Sequence, residues 1–296
     1  MKLQRFAAID IGSNAVRILF SNIIFEPNQI TGHKAHIVRC PVRLGTDVFT
    51  TGKIGPELET QLMHSFLAFK HLMKVYNVLN YKAYATSAMR SAENGKAIAN
   101  RIFKETGIQI EIIDGAEEAA IIFHSQLTNI IDKDRNYLYM DVGGGSTELT
   151  FFEEGHLVAS KSFAVGTIRM LNNVVEPDVL EDMNQWINDL GIPRQKVALI
   201  GSGGNINRVF KISQKKKKEA LELDFLKDLR EDLASLDIEE RMLAYDFNPD
   251  RADVIIPALD LFIKVMTEAR AKHIFVPKIG LADGMISIMI DEIVDK

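Results

Sequence analysis

The sequence predicts an α/β protein of two similar domains, and the first observation behind this prediction is a repeated turn. The segments Asp10-Ile11-Gly12-Ser13-Asn14 and Asp141-Val142-Gly143-Gly144-Gly145-Ser146 each stand between two apolar stretches, about one domain length apart. The second observation is that the predicted elements around both turns come in the same order. The third is size, because 296 residues, 47% of them hydrophobic, suffice for two hydrophobic cores.

The first half of the chain predicts the order βββαβαβα. Alternating apolar residues predict a three-strand meander around the first turn, at Phe6–Ile11, Val16–Ile24 and His36–Arg39. A helix over residues 56–78 opens at Pro56 and carries an apolar stripe at spacings of three and four: Leu58, Leu62, Phe66, Phe69, Met73 and Tyr76. The remaining predicted elements are strand Tyr81–Thr86, helix Glu93–Thr106, strand Ile108–Ile113 and helix Gly115–Leu127.

The second half repeats this order and then extends it. A second meander is predicted around the second turn, followed by a helix and a strand: Tyr137–Val142, Thr147–Phe152, Leu157–Phe163, Pro177–Leu190 and Val197–Ile200. Further helices are predicted near residues 203–213, 222–234 and 251–270, with strand His273–Val276 and a closing helix at Leu281–Val294.

Composition excludes several functions. A net charge of −5 argues against nucleic-acid binding. The run Lys215 to Lys218, with Arg208 and Lys211 nearby, is a candidate basic track, but a solvated loop is the favoured interpretation. Cys40, the single cysteine, is expected on a half-buried strand and excludes an internal disulfide. Without an apolar stretch of membrane-span or signal length, the protein is expected to be cytoplasmic and not to bind membranes.

The residues of the repeated turn point to phosphate. Glycines let consecutive N–H groups approach an anion, and Ser or Asn side chains add donors, so Gly12, Ser13, Asn14, Gly143, Gly144, Gly145 and Ser146 are candidate phosphate ligands. Asp10 and Asp141 each end a buried strand, where a carboxylate is costly unless it holds a metal, a water or donors. Two such acids indicate a hydrated divalent cation, Mg²⁺ or another. The alternative is a plain hairpin turn with Asp as a local acceptor, which the repetition disfavours.

Six further residues are candidates with open alternatives. Glu117 and Glu118 both lie in the first turn of a predicted helix, where an acid can serve the helix dipole or activate a water. Arg90 follows a strand and a Thr-Ser turn, from which it could bind phosphate or face solvent. Glu148 could support the cation or face solvent. Gly203 and Gly204 follow a strand and open a helix, a geometry typical of anion sites but weak by itself.

Five segments together resemble a known family. Ala8 to Asn14, Thr86-Ser87-Ala88-Met89-Arg90, Glu117-Glu118-Ala119, Asp141 to Leu149 and Gly201 to Gly204 stand in the order seen in exopolyphosphatase and guanosine pentaphosphate phosphohydrolase proteins. The resemblance covers essentially the whole chain. It implies two ribonuclease-H-like domains, similar to those of actin, Hsp70 and sugar kinases, each with a mixed five-stranded sheet flanked by helices and with a cleft between them.

The resemblance also implies boundaries and roles. The domains are expected at 1–125 and 126–296, with helix 281–296 as a candidate to complete the first, and residues Ser125 to Asp134 as the hinge. Glu118 matches the family's catalytic glutamate, with Asp141 as a second catalytic residue and Asp10, Asp141 and Glu148 as metal ligands. Two departures stand out: Asn205 replaces a common Thr, and Gly280 to Gly284 lacks a basic residue, which predicts weaker grip on long polyphosphate.

The implied activity is phosphoanhydride hydrolysis. The enzyme would release terminal phosphate from polyphosphate, or convert guanosine pentaphosphate to tetraphosphate, by metal-assisted attack of a water that Glu118 activates. A homodimer is expected. Two alternatives remain: an ATP-dependent small-molecule kinase of the same superfamily, for which no acceptor motif is found, and a nucleotide- or alarmone-binding regulator, whose binding would not require Glu118.

Overall fold

The chain folds into two compact units. The structure, a computed structural model, describes residues 2–27, 29–124, 135–194, 196–216 and 218–294. The first unit is Met1–Leu127 with Gly280–Lys296, and the second is Thr128–Ile279. Each contains a mixed sheet flanked by helices, so the predicted α/β class is confirmed. The predicted hinge, Ser125 to Asp134, lies outside the described residues.

The first unit has a five-stranded sheet, as expected. Its strands are β1 (Lys2–Ile11), β2 (Val16–Glu26), β3 (Gln29–Cys40), β4 (Asn80–Ala85) and β5 (Glu111–Ile112). Its helices are α1 (Leu44–Thr51), α2 (Pro56–Val75), α3 (Ser87–Ser91), α4 (Gly95–Thr106), α5 (Gly115–His124) and α13 (Leu281–Val294).

The strand order is β3-β2-β1-β4-β5. Strand β2 pairs antiparallel with β1 and β3, whereas β1, β4 and β5 are parallel. The carboxyl ends of these three parallel strands therefore meet at one edge, where an α/β sheet presents its functional loops.

The core of the first unit lies between this sheet and helix α2. Leu62, Phe66 and Phe69 on α2 are fully buried, which confirms the predicted stripe. Each such side chain contributes about 1.5–3 kcal/mol by leaving water. The helix begins at Pro56, as predicted, because a first-turn residue needs no hydrogen-bonded N–H.

The second unit has a larger sheet. Its strands are β6 (Asn136–Val142), β7 (Thr147–Glu153), β8 (His156–Phe163), β9 (Val197–Ser202), β10 (Leu221–Glu222) and β11 (His273–Phe275). Its helices are α6 (Thr167–Leu171), α7 (Val179–Asp189), α8 (Gly204–Ile212), α9 (Leu223–Ala234), α10 (Ile238–Tyr245), α11 (Pro249–Ala252) and α12 (Ile255–Glu268). A 3-10 turn spans Ile192–Arg194.

The strand order of this sheet is β10-β11-β9-β6-β7-β8. Strands β6, β9 and β11 are parallel, so their carboxyl ends also share one edge. Helix α12 is the central core helix, with Leu259, Phe262 and Met266 fully buried among the strand side chains. The predicted duplication of a meander followed by parallel strands is thereby confirmed.

Several elements differ from the prediction: strand His36–Arg39 extends to β3, and the helix predicted near residues 251–270 divides into α11 and α12. The second sheet has six strands instead of five, because the two-residue strand β10 pairs with β11 and is too short to show a periodic pattern. Strand Ile108–Ile113 shrinks to β5, which pairs with β4 at only two positions. Helices α1, α3, α6 and α10 were not predicted, since five to eight residues carry too little periodicity.

Three smaller predictions have structural outcomes. Cys40 is a half-buried free thiol at the end of β3, as expected. Lys215, Lys216 and Lys218 lie in the loop between α8 and β10, where the Lys215 ammonium donates to the Ala220 carbonyl at 2.7 Å. No helix among the described residues combines the length and apolar character that a membrane span requires.

Candidate functional site

The two repeated turns have the same hydrogen-bond geometry. In the first turn (Gly12–Ala15) the Gly12 N–H donates to the Ala15 carbonyl at 3.1 Å, and in the second turn (Gly143–Ser146) the Gly143 N–H donates to the Ser146 carbonyl at 3.0 Å. A Cβ atom would lie 3.3 Å from that carbonyl oxygen at Gly12 and 3.2 Å at Gly143. A larger residue would press on the turn, which explains the glycine in both copies.

The first sheet brings three predicted site segments to one edge. The first turn follows β1, the segment with Arg90 follows β4, and the helix with Glu118 follows β5. Backbone bonds tie these strand ends together, from Thr86 N–H to the Ile11 carbonyl at 3.1 Å and from Ile113 N–H to the Ala85 carbonyl at 3.0 Å. The candidate residues of the first unit therefore share one edge of the sheet.

Asp10 is paired within its own hairpin. Its cross-strand neighbour in β2 is Arg17, whose Nη1 lies 3.5 Å from Asp10 Oδ2. Burial raises the pKa of Asp10, and the Arg17 charge lowers it by a smaller amount. The carboxylate of the first unit thus has a built-in positive neighbour.

This pKa shift predicts a pH dependence of stability. Because the raised pKa makes the folded protein hold the Asp10 proton more tightly, the associated stability is present below the ordinary pKa of 3.8 and is lost as pH rises through the raised value. Asp10→Asn lacks this titration. Between the ordinary pKa and the raised one, the wild type is therefore expected to lose free energy of unfolding relative to Asp10→Asn as the pH increases. Urea unfolding without divalent cations, from about pH 4 to pH 8, measures it. A difference that stays level or grows with pH would contradict the shift.

Burial separates the two acids at the start of α5. The Asp114 carboxylate caps this helix by accepting the Glu117 N–H at 2.8 Å. Glu117 is exposed, whereas Glu118 is only 9% exposed and lies on the same helix face as the buried Ile121 and Ile122. A carboxylate on an apolar helix face is costly, so a role in the helix dipole alone accounts for Glu117 but not for Glu118.

Arg90 lies in the last turn of α3 and contacts the strand edge. Its Nη1 donates to the Ile113 carbonyl at 2.7 Å, immediately before the Asp114 cap of α5. The side chain is half-buried. Arg90 therefore supports the backbone that leads into the Glu118 helix, and its planar fork keeps further donors for an anion.

The second unit places two carboxylates opposite each other. Asp141 at the end of β6 pairs in register with Glu148 of β7, so both side chains project from the same sheet face. Glu148 is 3% exposed, and Ser162 Oγ donates to its Oε1 at 2.9 Å. Where the first unit has Asp10 opposite Arg17, the second has two acids, and like charges in this position are destabilising unless a cation offsets them.

The described residues contain no cluster of three or more His, Cys, Asp or Glu side chains arranged to hold a metal. A pair of carboxylates is nevertheless the protein contribution that Mg²⁺ often receives, because substrate phosphates and waters complete its octahedral shell. Asp141 and Glu148 therefore fit a cation of this kind.

Helix α6 holds the second turn by its carbonyl groups. The Gly143 carbonyl accepts the Thr167 N–H at 3.0 Å, and the Gly144 carbonyl accepts the Ile168 N–H at 2.8 Å. Within the part of the chain that the structure describes, the N–H groups of Gly144, Gly145 and Ser146 donate to no protein acceptor. Three consecutive backbone donors are thus left for an anion.

The third glycine segment lies beside Asp141. Gly203 has φ +107° and caps α8, while a Cβ there would lie 2.9 Å from the Val142 carbonyl oxygen and 3.2 Å from Asp141 Oδ1. This backbone conformation and the close approach both require glycine. Gly204 and Asn205 begin α8, so the start of this helix stands next to the carboxylate that ends β6.

The segment from Gly280 to Gly284 carries one charged residue, Asp283. Asp283 accepts the Gly280 N–H at 3.0 Å and forms an ion pair with Lys34 of β3 at 2.7 Å. Its charge is therefore used within the first unit to start α13, in keeping with the acidic preference of helix N-termini.

Sequence reasoning missed several residues that shape these turns. Gly45 of α1 donates its N–H to the Ser13 carbonyl at 2.8 Å. On the second turn, Gly166 packs against the glycine backbone and Arg169 donates to the Gly145 carbonyl. Asp114 caps the Glu118 helix. Of these residues, only Asp114 could have been found from the sequence, because an Asp three residues before a Glu is typical of the start of a helix.

Two mixed-sheet units that each carry the same glycine turn define a duplicated α/β protein of the actin-like superfamily. The chain belongs to the Ppx/GppA phosphatase family, whose model matches residues 35–292.

Individual relatives agree with this assignment. The chain is 29% identical over 183 residues to exopolyphosphatase 2 of Mycobacterium tuberculosis, covering 60% of this chain and 57% of that protein. The aligned part thus spans little more than half of the mycobacterial protein. An exopolyphosphatase from Cytophaga hutchinsonii is similar in structure, with a TM-score of 0.83, 26% identity and 98% of both chains covered. A Ppx/GppA family member from Aquifex aeolicus has a TM-score of 0.74 at 21% identity, over 98% of this chain and 99% of that one, a likeness of fold.

Proposed function

We propose that this protein is a hydrolase of phosphoanhydrides that releases terminal phosphate from polyphosphate, from guanosine pentaphosphate, or from both. One observation carries the proposal. In the second unit, the three N–H donors of residues 144–146 lie in the turn that follows Asp141, which stands opposite the buried Glu148. Donors for phosphate oxygens next to carboxylates for a cation are the parts that phosphoryl transfer to water requires.

The relatives support this choice of substrate. Both the mycobacterial relative and the Cytophaga structure are named exopolyphosphatases. Membership of the Ppx/GppA family adds guanosine pentaphosphate as the second candidate. The segment Gly280 to Gly284 has no basic residue, which predicts a preference for short polyphosphate or guanosine pentaphosphate, since positive charge along the substrate path would strengthen binding of long chains.

In this mechanism, different residues activate the water and bind the phosphate. Glu118 positions a water in line with the terminal phosphorus and accepts its proton. The free N–H groups of the second turn, with the Ser146 hydroxyl, donate to oxygens of the phosphate that is cleaved. Ser13 and Asn14 of the first turn, and the outer donors of Arg90, bind further phosphate oxygens.

The cation completes this set. Bound Mg²⁺, or another divalent ion, supplies positive charge that neutralises the phosphate oxygens as the bond breaks. Asp141 and Glu148 would hold it, and we assign Asp10 as an additional ligand. Gly203 and Gly204 are assigned to the path of the substrate, where the start of α8 favours an anion.

The remaining assignments follow from the family resemblance. We propose ribonuclease-H-like domains at 1–125 and 126–280, with the closing helix 281–296 completing the first, in line with the first compact unit. We also propose a cytoplasmic homodimer that binds neither nucleic acid nor membrane, in keeping with the net charge of −5.

Phosphate release tests the proposal. We expect the purified protein with Mg²⁺ to release phosphate from short polyphosphate, long polyphosphate or guanosine pentaphosphate, and to stop when a chelator removes the metal. Comparing initial rates on the three substrates identifies the preferred one. No release from any of them, with Mg²⁺ or Mn²⁺ present, would refute the proposal.

A matched pair of variants tests the cation ligands in the same assay. Glu148→Gln is expected to raise the Mg²⁺ concentration needed for half-maximal rate by about tenfold or more, because one carboxylate of the pair is lost. Glu153→Gln, at the exposed end of the same strand, serves as the control. An unchanged Mg²⁺ requirement in Glu148→Gln would remove this residue from the metal site.

A further inference from the structure

A single arginine completes the contact between α6 and the second turn. The Nε atom of Arg169 donates to the Gly145 carbonyl at 2.8 Å, and its backbone N–H reaches the Gly144 carbonyl at 3.3 Å. With the N–H groups of Thr167 and Ile168 on the preceding carbonyls, all three glycine carbonyls are bound from the α6 side. The Gly145 carbonyl accepts no backbone N–H of α6, and the Arg169 side chain supplies its donor instead.

This arrangement fixes where the N–H groups of the turn point. A trans peptide carries its C=O and the following N–H on opposite sides of the chain. Because the carbonyls of Gly143, Gly144 and Gly145 face α6, the N–H groups of Gly144, Gly145 and Ser146 face away from it. The donors proposed to bind phosphate are therefore oriented by bonds made on the other side of the backbone.

We propose that Arg169 is a positioning residue for phosphate binding, which holds the Gly145–Ser146 peptide so that the Ser146 N–H is aimed at the substrate. The inference rests on the proposed function and extends it to a residue outside the repeated motif. A turn with three glycines is conformationally permissive, so external bonds must select the one backbone geometry that gathers three donors.

The fit between α6 and the turn supports this role. A Cβ atom on Gly166 would lie 2.6 Å from the Gly144 carbonyl carbon and 2.7 Å from the Gly145 nitrogen, so the start of α6 packs directly on the glycine backbone. Burial lowers the pKa of Arg169 and Glu176 opposes this change, yet an arginine this basic keeps its charge at neutral pH. The half-buried guanidinium is held in place as a permanent donor.

The first unit also holds its turn from a helix, by a backbone bond. Its helix α1 donates the Gly45 N–H to the Ser13 carbonyl at 2.8 Å, the same length as the corresponding bond from Ile168. The next residue, Thr46, directs its hydroxyl to the Arg43 carbonyl at 2.7 Å, at the start of its own helix. The Arg169 bond thus adds a side-chain donor to a backbone contact that both turns share.

Arg169→Ala and Arg169→Lys test the proposal, with Arg241→Ala as the matched control. Arg241 of α10 also donates its Nε to a backbone carbonyl, that of Leu233 at 2.7 Å, but lies on another element of the same unit. We expect kcat/KM for phosphate release to fall about 10- to 100-fold in Arg169→Ala, since loss of one oriented backbone donor costs up to about 10²–10³-fold. Arg169→Lys is expected to recover part of this loss, and Arg241→Ala is expected to keep the wild-type value.

Chemical rescue separates positioning from folding. Millimolar guanidinium, well below denaturing concentration, is expected to restore part of the activity of Arg169→Ala. It is expected to restore no activity to wild-type protein that has been inactivated by heating. Wild-type activity in Arg169→Ala, an equal loss in Arg241→Ala, or no recovery with either lysine or guanidinium would overturn the proposal.

Binding distinguishes this failure from failure of the proposed function. If the wild type releases no phosphate, the proposed function fails, and titration calorimetry with tripolyphosphate then decides about Arg169. Weaker binding in Arg169→Ala than in Arg241→Ala would support the positioning role. Equal binding by the two variants, or no binding by the wild type, would refute it.

Discussion

We expect Glu118→Gln to lower the rate of phosphate release by about 10²–10⁴-fold, the range expected for loss of a general base. Glutamine has nearly the shape of glutamate and can still hydrogen-bond a water, but it cannot accept the proton at neutral pH. Because the side chain is buried on the apolar face of α5, an uncharged replacement does not destabilise the helix. The melting temperature is therefore expected to stay close to that of the wild type.

Glu117→Gln is the matched control for this experiment. Both residues lie in the first turn of α5, and each variant removes one negative charge near the helix N-terminus. Glu117 is exposed, so its replacement is expected to leave the rate within about twofold of the wild type. Equal losses in the two variants would mean that helix-end charge, and not the position of Glu118, controls the rate. Substantial activity in Glu118→Gln would exclude it as the base.

Steady-state kinetics with Mg²⁺ and the preferred substrate supply the measurement. A fall confined to kcat indicates that Glu118 acts in the chemical step, whereas a rise in KM alone would indicate a role in binding. Tripolyphosphate binding by Glu118→Gln, measured by calorimetry, checks that the phosphate sites remain intact.

Gly284→Ala is expected to destabilise the first unit by roughly 3 kcal/mol, at the upper end of the usual cost of overpacking. Gly284 lies in α13 where this helix crosses α5, and a Cβ atom there would lie 2.0 Å from the Ile121 carbonyl oxygen and 2.7 Å from its Cγ2. A backbone carbonyl in a helix cannot swing aside, so the two helices must separate. The melting temperature should fall by about 6–12 °C.

Gly32→Ala controls for the general effect of adding a methyl group. Its Cβ atom would meet only the ends of flexible isoleucine side chains, at 3.4 Å and 3.6 Å. We expect its stability to stay within about 0.5 kcal/mol of the wild type. Thermal melting of both variants gives the comparison, and a Gly284→Ala variant as stable as Gly32→Ala would show that the α13–α5 contact adjusts easily.

Activity adds a second readout to the same variant. Ile121 lies one turn after Glu118 in α5, so a shift of this helix displaces the carboxylate as well. Gly284→Ala is expected to lose activity even well below its melting temperature. Full activity there would mean that α5 keeps its place while α13 moves.

Much of the fold could be predicted from local pattern. The meanders, the amphipathic helix that buries Phe66 and Phe69, and the repeated turn follow from periodicities of two and 3.6 and from glycine chemistry. These signals span a few residues each and do not depend on distant parts of the chain. The same is true of the family resemblance, which is carried by short segments in a characteristic order.

The candidate site could be predicted in its residue types but not in its pairings. Asp10 and Asp141 occupy equivalent positions, yet one stands opposite Arg17 and the other opposite Glu148, a difference set by strand register. Periodicity also left Glu117 and Glu118 equivalent. Packing of α5 on its neighbours buried only one of them.

The sequence by itself determined the duplicated α/β order, the two glycine turns and the acids that precede them, because each of these features depends only on residues close together in the chain. The tertiary structure alone decided that α6 orients the second turn through Arg169, that Gly284 lets α13 approach Ile121, and that β10 widens the second sheet. These contacts join residues far apart in the chain or belong to elements of two to five residues. These contacts are stabilised by packing and hydrogen bonds that form only on folding, so no periodic pattern in the local sequence predicts them.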